Sequence, residues 1–299
     1  LIKGPLYYQS KGQDILLDVP QTFSFLRKEI KPYINRKLSI EDINGLSTQL
    51  NNSLLSHGFV TSKVGIPQQS LATGQLQFNL QIGRIEAVIY RPDLPHLPWH
   101  NAFPLREGDI LNIRDIEQSL ENLKRAPTVE ANIEILPSES DKAEVGESDL
   151  KISYNQAFPF RLNVGLDDAG STSTGKWQAN GTLSIDNIFS ANDLFYTSFT
   201  HSIKQKGDDR GRRASKNLTL YYSIPFGYWN LAFSHNQSRY HQEVFGAFDN
   251  SYIYSGESET DKLTLSYLLY RDAKRKTLVS GSFWSRQSQN YIDGAEIDV

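Results

Sequence analysis

From Phe158 to the end of the chain, apolar and polar side chains alternate and no helical period interrupts them. Phe160, Leu162, Val164 and Leu166 are interleaved with Arg161, Asn163, Gly165 and Asp167; Trp177, Ala179, Leu183 and Ile185 with Gln178, Asn180, Thr182, Ser184 and Asp186. The pattern continues through DLFYTSFTHSI (193–203), then Leu218, Leu220, Tyr222 and Ile224, then Trp229, Leu231 and Phe233, then Leu263, Leu265, Tyr267 and Leu269. A seventh strand is expected from near Thr277. A period of two gives every strand one apolar and one polar face. The polar face is the constraint: Arg161, Asn163, Gln178, Asn180, Asp186 and Asn230 are costly in a dry core, whereas a water-filled lumen accepts them. The alternation therefore predicts an all-β antiparallel transmembrane β-barrel, with those six residues facing its lumen.

Connection lengths point the same way. IFSAN, PFGY and RDAKRK are short, GSTSTG, KGDDRGRRAS and FGAFDNS longer and more polar, and the two kinds alternate along the chain. Outer-membrane barrels pair tight periplasmic turns with longer outside loops in this way, and aromatics such as Phe195-Tyr196, Tyr221-Tyr222, Phe226, Tyr228-Trp229 and Tyr267 suit their girdles. The alternative is a soluble β-sandwich or β-rich binding protein, which has shorter strands and no such parity of loops. Seven strands are odd and fewer than the smallest bacterial barrels hold, and an open edge in lipid leaves backbone groups unpaired. The chain is expected to carry only part of the wall.

The first half repeats a unit. KLSIEDI (37–43) returns as ILNIRDI (110–116), with Leu38 and Leu111, like Ile43 and Ile116, 73 positions apart. Ser39 with Asp42, and Asn112 with Asp115, have the spacing of reciprocal helix caps. Ile43, Leu46, Leu50 and Leu54 then recur at helical spacing up to Gly58, and Ile113, Ile116, Leu120 and Leu123 up to Ala126-Pro127. Each helix leads into a strand (VTSKVGIP, TVEANIEILP), a turn, and a second strand (GQLQFNLQI, ESDLKISYN). DILLDV and FSFLRKEIKPYI precede the first helix, and RIEAVIY with the link 91–104 the second. Each unit reads as β-α-α-β-β, helices on one face of a small mixed sheet, in an α+β arm ahead of the barrel.

Composition removes other classes. A net charge of −3 and scattered basic residues, Arg210, Arg212 and Arg213 apart, argue for no nucleic acid partner. There is no cysteine, hence no thiolate metal site or Cys nucleophile, and no catalytic constellation or cofactor site is visible. His96 and His100 are the nearest to metal spacing, but Pro98 between them breaks the alignment. Asp167-Asp168 reads as an exposed turn, and the arginines of KGDDRGRRAS as a solvated outer loop that could meet lipopolysaccharide. With no methionine and a start at Leu1, the chain is expected to be a processed or trimmed product.

Several long segments carry a resemblance: FLRKEIKPYIN, HGFVTSKVGIPQQSLATGQLQFNLQIGRIEAV, NAFPLREGDILNIRDIEQSLENLKRAPTVEANIEILPS, RLNVGLDDAGSTSTGKWQANGTLSIDN, YYSIPFGYWNLAFSHNQSRYHQ and YSGESETDKLTLSYLLYRDAKRKT. From about Phe23 onward the chain resembles the outer-membrane transporters of two-partner secretion, of the haemolysin secretion and activation type. The resemblance implies two polypeptide-transport-associated (POTRA) domains, residues 1–82 (first strand uncertain) and 83–156, and the N-terminal half of a barrel over 157–299. It implies a pore of about 16 strands in the complete protein. It further implies a monomeric pore in outer-membrane lipid and lipopolysaccharide, with its POTRA arm in the periplasm. Its partner would be one large exoprotein (haemolysin, adhesin or contact-dependent toxin), exported unfolded without ATP or enzymatic chemistry. An insertase of the related assembly family is the alternative. The plug helix and the gating loop with its Val-Arg-Gly-Tyr type signature have no counterpart in these residues. For client capture, edge strands that offer backbone groups to an extended segment are the expected sites: Thr61, Ser62, Lys63, Val64, Gly65 and Ile66, and Val129, Glu130, Ala131, Asn132, Ile133, Glu134 and Ile135.

Overall fold

The computed structural model describes residues 4–7, 20–34, 36–71, 76–90, 100–140, 146–204, 212–247 and 250–298. In chain order the elements of the first half are β1 (Gly4–Tyr7), α1 (Leu26–Ile30), α2 (Ile40–Ser56), β2 (Lys63–Gly65), β3 (Gln77–Gln81), β4 (Arg84–Tyr90), α3 (Ile113–Leu123), β5 (Val129–Pro137) and β6 (Glu147–Gln156). Helix α2 starts where the sequence places it. The Ser39 hydroxyl accepts from the Asp42 N–H at 3.1 Å, and the Asp42 carboxylate accepts from the Ser39 N–H at 2.8 Å, a complete capping box. Leu46, Leu50 and Leu54 form its buried stripe and pack on Phe23, Leu26 and Ile30 and on Val64, Phe78 and Leu80 of the sheet. That sheet runs β1-β3-β2, both outer strands antiparallel to β3. The segment DILLDV lies outside the described residues.

The second unit has the sheet order β4-β6-β5, with β4 parallel and β5 antiparallel to β6. Ile85, Leu105, Leu111, Ile116 and Leu150 form one core cluster and Ala102, Phe103, Leu123 and Ile152 a second. Among the described residues α3 is the single helix of this unit, and turns over 100–112 stand where the first helix of a β-α-α-β-β unit is expected.

The remainder is one antiparallel meander: β7 (Phe160–Asp167), β8 (Gln178–Asp186), β9 (Leu194–Ser202), β10 (Ala214–Phe226), β11 (Trp229–Phe245), β12 (Ser251–Arg271), β13 (Lys276–Ile292) and the short β14 (Ala295–Ile297), hydrogen-bonded in that order. Among the described strands β7 and β14 each lack an outer neighbour, so the sheet is a part of a barrel wall. The register joins polar residues across it: Asn163, Thr182, Ser198, Thr219, Asn236, Thr260 and Arg286 form one cross-strand row. On the opposite face Phe160, Ile185, Phe195, Tyr222, Phe233, Leu263 and Phe283 form another. The apolar band is oblique to these rows. On β7 it extends from the Phe160 row toward Leu166, whereas on β12 it extends from the Leu263 row the other way, toward Leu269. Strands tilted to the membrane normal produce that drift, because a level lipid band then crosses successive strands at different residues.

The connection FGAFDNS is the tip of a long hairpin: β11 and β12 pair as far as its two end residues, Phe245 and Ser251. Beyond Phe233 and Leu263 both strands leave the apolar band and project as a polar ribbon, with His235 facing Asp261 at 2.9 Å and Arg239 paired to Glu257.

Val164 is 78% exposed on the apolar face, and its neighbour Asn163 points the other way. In the complete barrel folded into bilayers, Val164→Arg should cost about 2–4 kcal/mol in urea titrations. Asn163→Arg should change stability by about 0.5 kcal/mol or less. Equal losses would reverse the assignment of the two faces.

Candidate functional site

Strand β5 is an edge with open hydrogen-bonding groups. The Ala157 N–H donates to Thr128 O at 2.8 Å and the Ser138 N–H to Glu147 O at 3.2 Å. In an antiparallel pair, residues that bond their partner alternate with residues that face away. The even-numbered residues 128 to 138 thus bond β6, and Ala131, Ile133 and Ile135 turn their N–H and C=O outward, where no described residue bonds them. Val129 also faces outward, but its N–H is taken by Ala126 O at 3.0 Å, and Pro137 has no N–H to give. Side chains follow the same parity: Val129, Ala131, Ile133 and Ile135 turn toward the core, Glu130, Asn132 and Glu134 toward solvent.

The segment Thr61 to Ile66 also lies at a sheet edge, but only Lys63, Val64 and Gly65 are strand, and that edge is closed. Asn51 of α2 accepts the Val64 N–H and donates to the Val64 carbonyl, both at 2.9 Å. One carboxamide imitates the next strand and occupies the outward pair. Ser62 is buried, its hydroxyl taking the Gly83 N–H at 3.0 Å, Thr61 abuts Gly83, and Ile66 lies beyond the strand.

At its N-terminal end β5 meets the barrel. The Thr128 hydroxyl donates to Asp186 Oδ2 at 2.7 Å, and Arg161 Nη2 pairs with Asp186 Oδ1 at 2.8 Å; the Asp186 side chain is almost wholly buried. Asn163, Gln178, Asn180 and Asn230 lie on the same polar face. Asn180 donates to Asp167 Oδ2 at 2.8 Å, and Gln178 to Gly175 O and Ser215 Oγ at 2.9 and 3.1 Å. Asp167 is therefore tied to Asn180, and its side chain also takes the Ala169 N–H at 3.0 Å. His96 and Arg210 lie outside the described residues; among those described, no group of three or more His, Cys, Asp or Glu could hold a metal.

The second unit docks against the three turns at one end of the sheet, those joining β8 to β9, β10 to β11 and β12 to β13. Asn101 bridges the first two, donating to Ala191 O and, at 2.9 Å, to Pro225 O, while its own carbonyl takes the Gly227 N–H at 2.7 Å. The polar flank of α3 covers the second and third turns. Asn122 donates to Gly227 O at 2.8 Å, Arg125 to Ser223 Oγ at 2.7 Å, and the Tyr228 hydroxyl to Asp115. Arg271 donates to Gln118 at 2.7 Å and Glu121 at 2.8 Å, and Lys276 also pairs with Glu121. Asp115 therefore does not complete a second capping box: Asn112 alone caps α3, taking the Arg114 N–H at 2.9 Å, and Asp115 belongs to the barrel contact.

The two units are joined end to end. The Ile113 N–H at the start of α3 donates to Gly58 O at 2.9 Å, and Asn112 Nδ2 to His57 O at 3.1 Å, so the carbonyl end of α2 abuts the N–H end of α3. Gly58 is required twice over: its φ is +92°, and a Cβ would lie 2.2 Å from Asn112 Oδ1.

Burial and bonding move several pKa values at this junction. Burial raises that of Asp115, and the Tyr228 hydrogen bond only partly offsets it. Tyr228 is raised by burial and by Asp115. Burial would raise Glu121, but the bonds and charges of Lys276 and Arg271 outweigh it and hold the carboxyl below its ordinary value. None of Asn101, Gln118, Asn122, Arg125, Glu121 or Arg271 stood out in the sequence, since a buried polar flank of a helix reads like a solvated one.

Two small α+β units in series, docked on the turns of an antiparallel wall with a lipid-facing band, define a protein with an α+β arm and a membrane β-barrel domain. The chain belongs to the family described as haemolysin secretion/activation protein ShlB/FhaC/HecB, which it matches over residues 146–299; residues 20–83 match the ShlB-type POTRA domain and residues 84–137 a POTRA domain. It is 35% identical to the outer membrane transporter CdiB of Dickeya dadantii, over 88% of this chain and 45% of that protein. It is 31% identical to CdiB-2 of Burkholderia pseudomallei, over 96% and 48%. The solved structure of CdiB from Acinetobacter baumannii superposes with a TM-score of 0.82 at 28% identity, covering 98% of this chain and 56% of that one. The chain spans about half the length of the curated relatives it matches. The barrel therefore lies in the outer membrane, with the POTRA domains and the three short turns on the periplasmic side.

Two outcomes test the junction. Arg271→Glu should uncouple the second unit from the third turn, broadening the distance between spin labels on α3 and that turn, and adding Glu121→Arg should restore part of the coupling, worth roughly 0.5–3 kcal/mol. Because Glu121 has a lowered folded-state pKa, its contribution is complete above the ordinary carboxylate pKa and disappears as pH falls through the lowered value. The label distance should hold from neutral pH down to the ordinary carboxylate range and broaden only below it. Glu121→Gln should abolish that acid transition, leaving the opposite trend of Asp115, whose pKa is raised.

Proposed function

We propose that the protein exports one large partner exoprotein across the outer membrane, captured in the periplasm by its POTRA units and threaded unfolded through the lumen. The observation that carries this reading is the placement of β5. Its open edge, Ala131 to Ile135, leads at its N-terminal end to Thr128 and the Asp186–Arg161 pair at the periplasmic end of the polar face. An extended client that adds a strand there gains backbone bonds, with Glu130, Asn132 and Glu134 beside it on the solvent face, and is delivered to the pore mouth. Residues 1–82 and 83–156 serve as the two receptor units and 157–299 as half of a monomeric pore. Arg161, Asn163, Gln178, Asn180, Asp186 and Asn230 wet its lumen. Of the two candidate edges β5 is the one retained, because Asn51 already occupies the outward groups of Val64.

Folding of the client outside drives the net movement, and no nucleotide or enzymatic step enters. The partner types fitting the family are a haemolysin, an adhesin or a contact-dependent toxin.

Parity gives a sharp test. Ala131 points its N–H outward, so Ala131→Pro should abolish client binding and export while leaving the circular dichroism spectrum unchanged. Glu130→Pro breaks a bond to β6 and should destabilise the unit itself, by roughly 3 kcal/mol. Client export unaffected by Ala131→Pro would overturn capture at this edge.

A further inference from the structure

A basic cleft opens where the two POTRA units and the third periplasmic turn meet. It has a volume of about 540 Å³ and is lined by Ser56 and His57 from the end of α2, Arg114 from α3, and the run Tyr270 to Arg275. Four cationic side chains, Arg114, Arg271, Lys274 and Arg275, face one carboxylate there, Asp272. Part of that charge is already engaged. Arg114 pairs with Glu117 at 2.6 Å, Arg271 with Glu117 and Glu121, and Arg275 with Asp272 through Nε at 3.0 Å and Nη2 at 2.9 Å. Each guanidinium nevertheless carries five N–H donors, so each keeps donors in reserve. The ammonium of Lys274, an exposed residue of the turn, makes no ion pair with a described residue.

The apolar surface beside the cleft indicates the occupant. On β12 the lipid-facing series Leu263, Leu265, Tyr267 and Leu269 ends against it at Tyr270. Leu269 is 61% and Tyr270 48% exposed, and the Arg275 guanidinium lies 5.7 Å from the Tyr270 ring centroid. Trp229 packs on Tyr267 one strand away at 4.5 Å between ring centroids, in the manner of an interfacial girdle. Cations at the rim of a lipid-facing apolar track match an anionic headgroup with its acyl chains.

We propose that this cleft binds the phosphate of an anionic phospholipid from the periplasmic leaflet. Lys274 and the free donors of Arg275 and Arg114 hold the phosphate, and the chains lie along Leu269 and Tyr267. The lipid then bridges the end of α2, the start of α3 and the barrel turn, so membrane composition bears on how the arm sits under the pore. This rests on the assignment of the short turns to the periplasmic side and not on the identity of the exported client.

The test uses the complete transporter in nanodiscs of phosphatidylcholine with increasing phosphatidylglycerol, read by native mass spectrometry of retained lipid and by spin-label distances between α2 and the turn. Retained phosphatidylglycerol is expected, with a narrowed distance distribution, and Lys274→Glu should weaken retention roughly tenfold. Arg275→Gln should act in the same direction, and keeps the test decisive if Lys274→Glu fails to assemble. In detergent, inorganic phosphate and an aspartate-rich extended peptide serve as competitors. Displacement of the lipid by millimolar phosphate alone, tighter binding of the peptide than of lipid, or equal retention of phosphatidylcholine would each overturn the proposal. Export of a client in cells is scored separately. A transporter that exports nothing but retains the lipid would sink the transport reading and leave this one standing.

Discussion

In hydrocarbon there is no water to satisfy a backbone N–H or C=O, and the architecture depends on that constraint. The wall answers it with cross-strand bonds running without a break from β7 to β14. Once the register is set, the side chains have no further choice of face. Asn163, Thr182, Ser198, Thr219 and Asn236 form a continuous polar row because each is paired with the next, and the lipid-facing band follows on the other side. The tilt of the strands then makes the band drift from Leu166 on β7 to Leu269 on β12, and β11 and β12 continue past it into water.

Outside the membrane the same backbone groups change their meaning. Water satisfies the outward groups of Ala131, Ile133 and Ile135 at little cost, so an edge that lipid would forbid is available for a partner. The first unit closes its equivalent edge with Asn51, which shows how few atoms decide between an open edge and a closed one. The arm reaches the wall through a set of polar contacts: Asn101, Asn122 and Arg125 meet backbone carbonyls and a side chain of the wall, and Gln118 meets Arg271. Polar interfaces of this kind hold an orientation through directional bonds.

Local patterns were legible wherever local physics was sufficient. The Ser39 cap, the Leu46–Leu50–Leu54 stripe, the stop at Gly58 and the strand alternation all depend on neighbours within a few residues, and the structure keeps them. Asp115 shows the limit. At cap spacing from Asn112 it reads as a helix-starting residue, yet its carboxylate is taken by Tyr228. Nothing near it in the chain distinguishes the two uses. FGAFDNS reads as a loop from its glycine, aspartate and asparagine, and it is the connection between β11 and β12, with only its ends Phe245 and Ser251 held in register by the long strands on either side.

The amino-acid sequence by itself determined the two-faced wall, the repeated α+β unit and their order, because periodicity and capping are properties of adjacent residues. Tertiary structure alone decided which edge remains open, which helix flank meets the barrel and where basic side chains from three parts of the chain converge. Those outcomes depend on groups such as Asn51 and Val64, Asp115 and Tyr228, or His57 and Asn112. They are distant in sequence, and only the packed sheets and the shared α2–α3 joint bring them within bonding range.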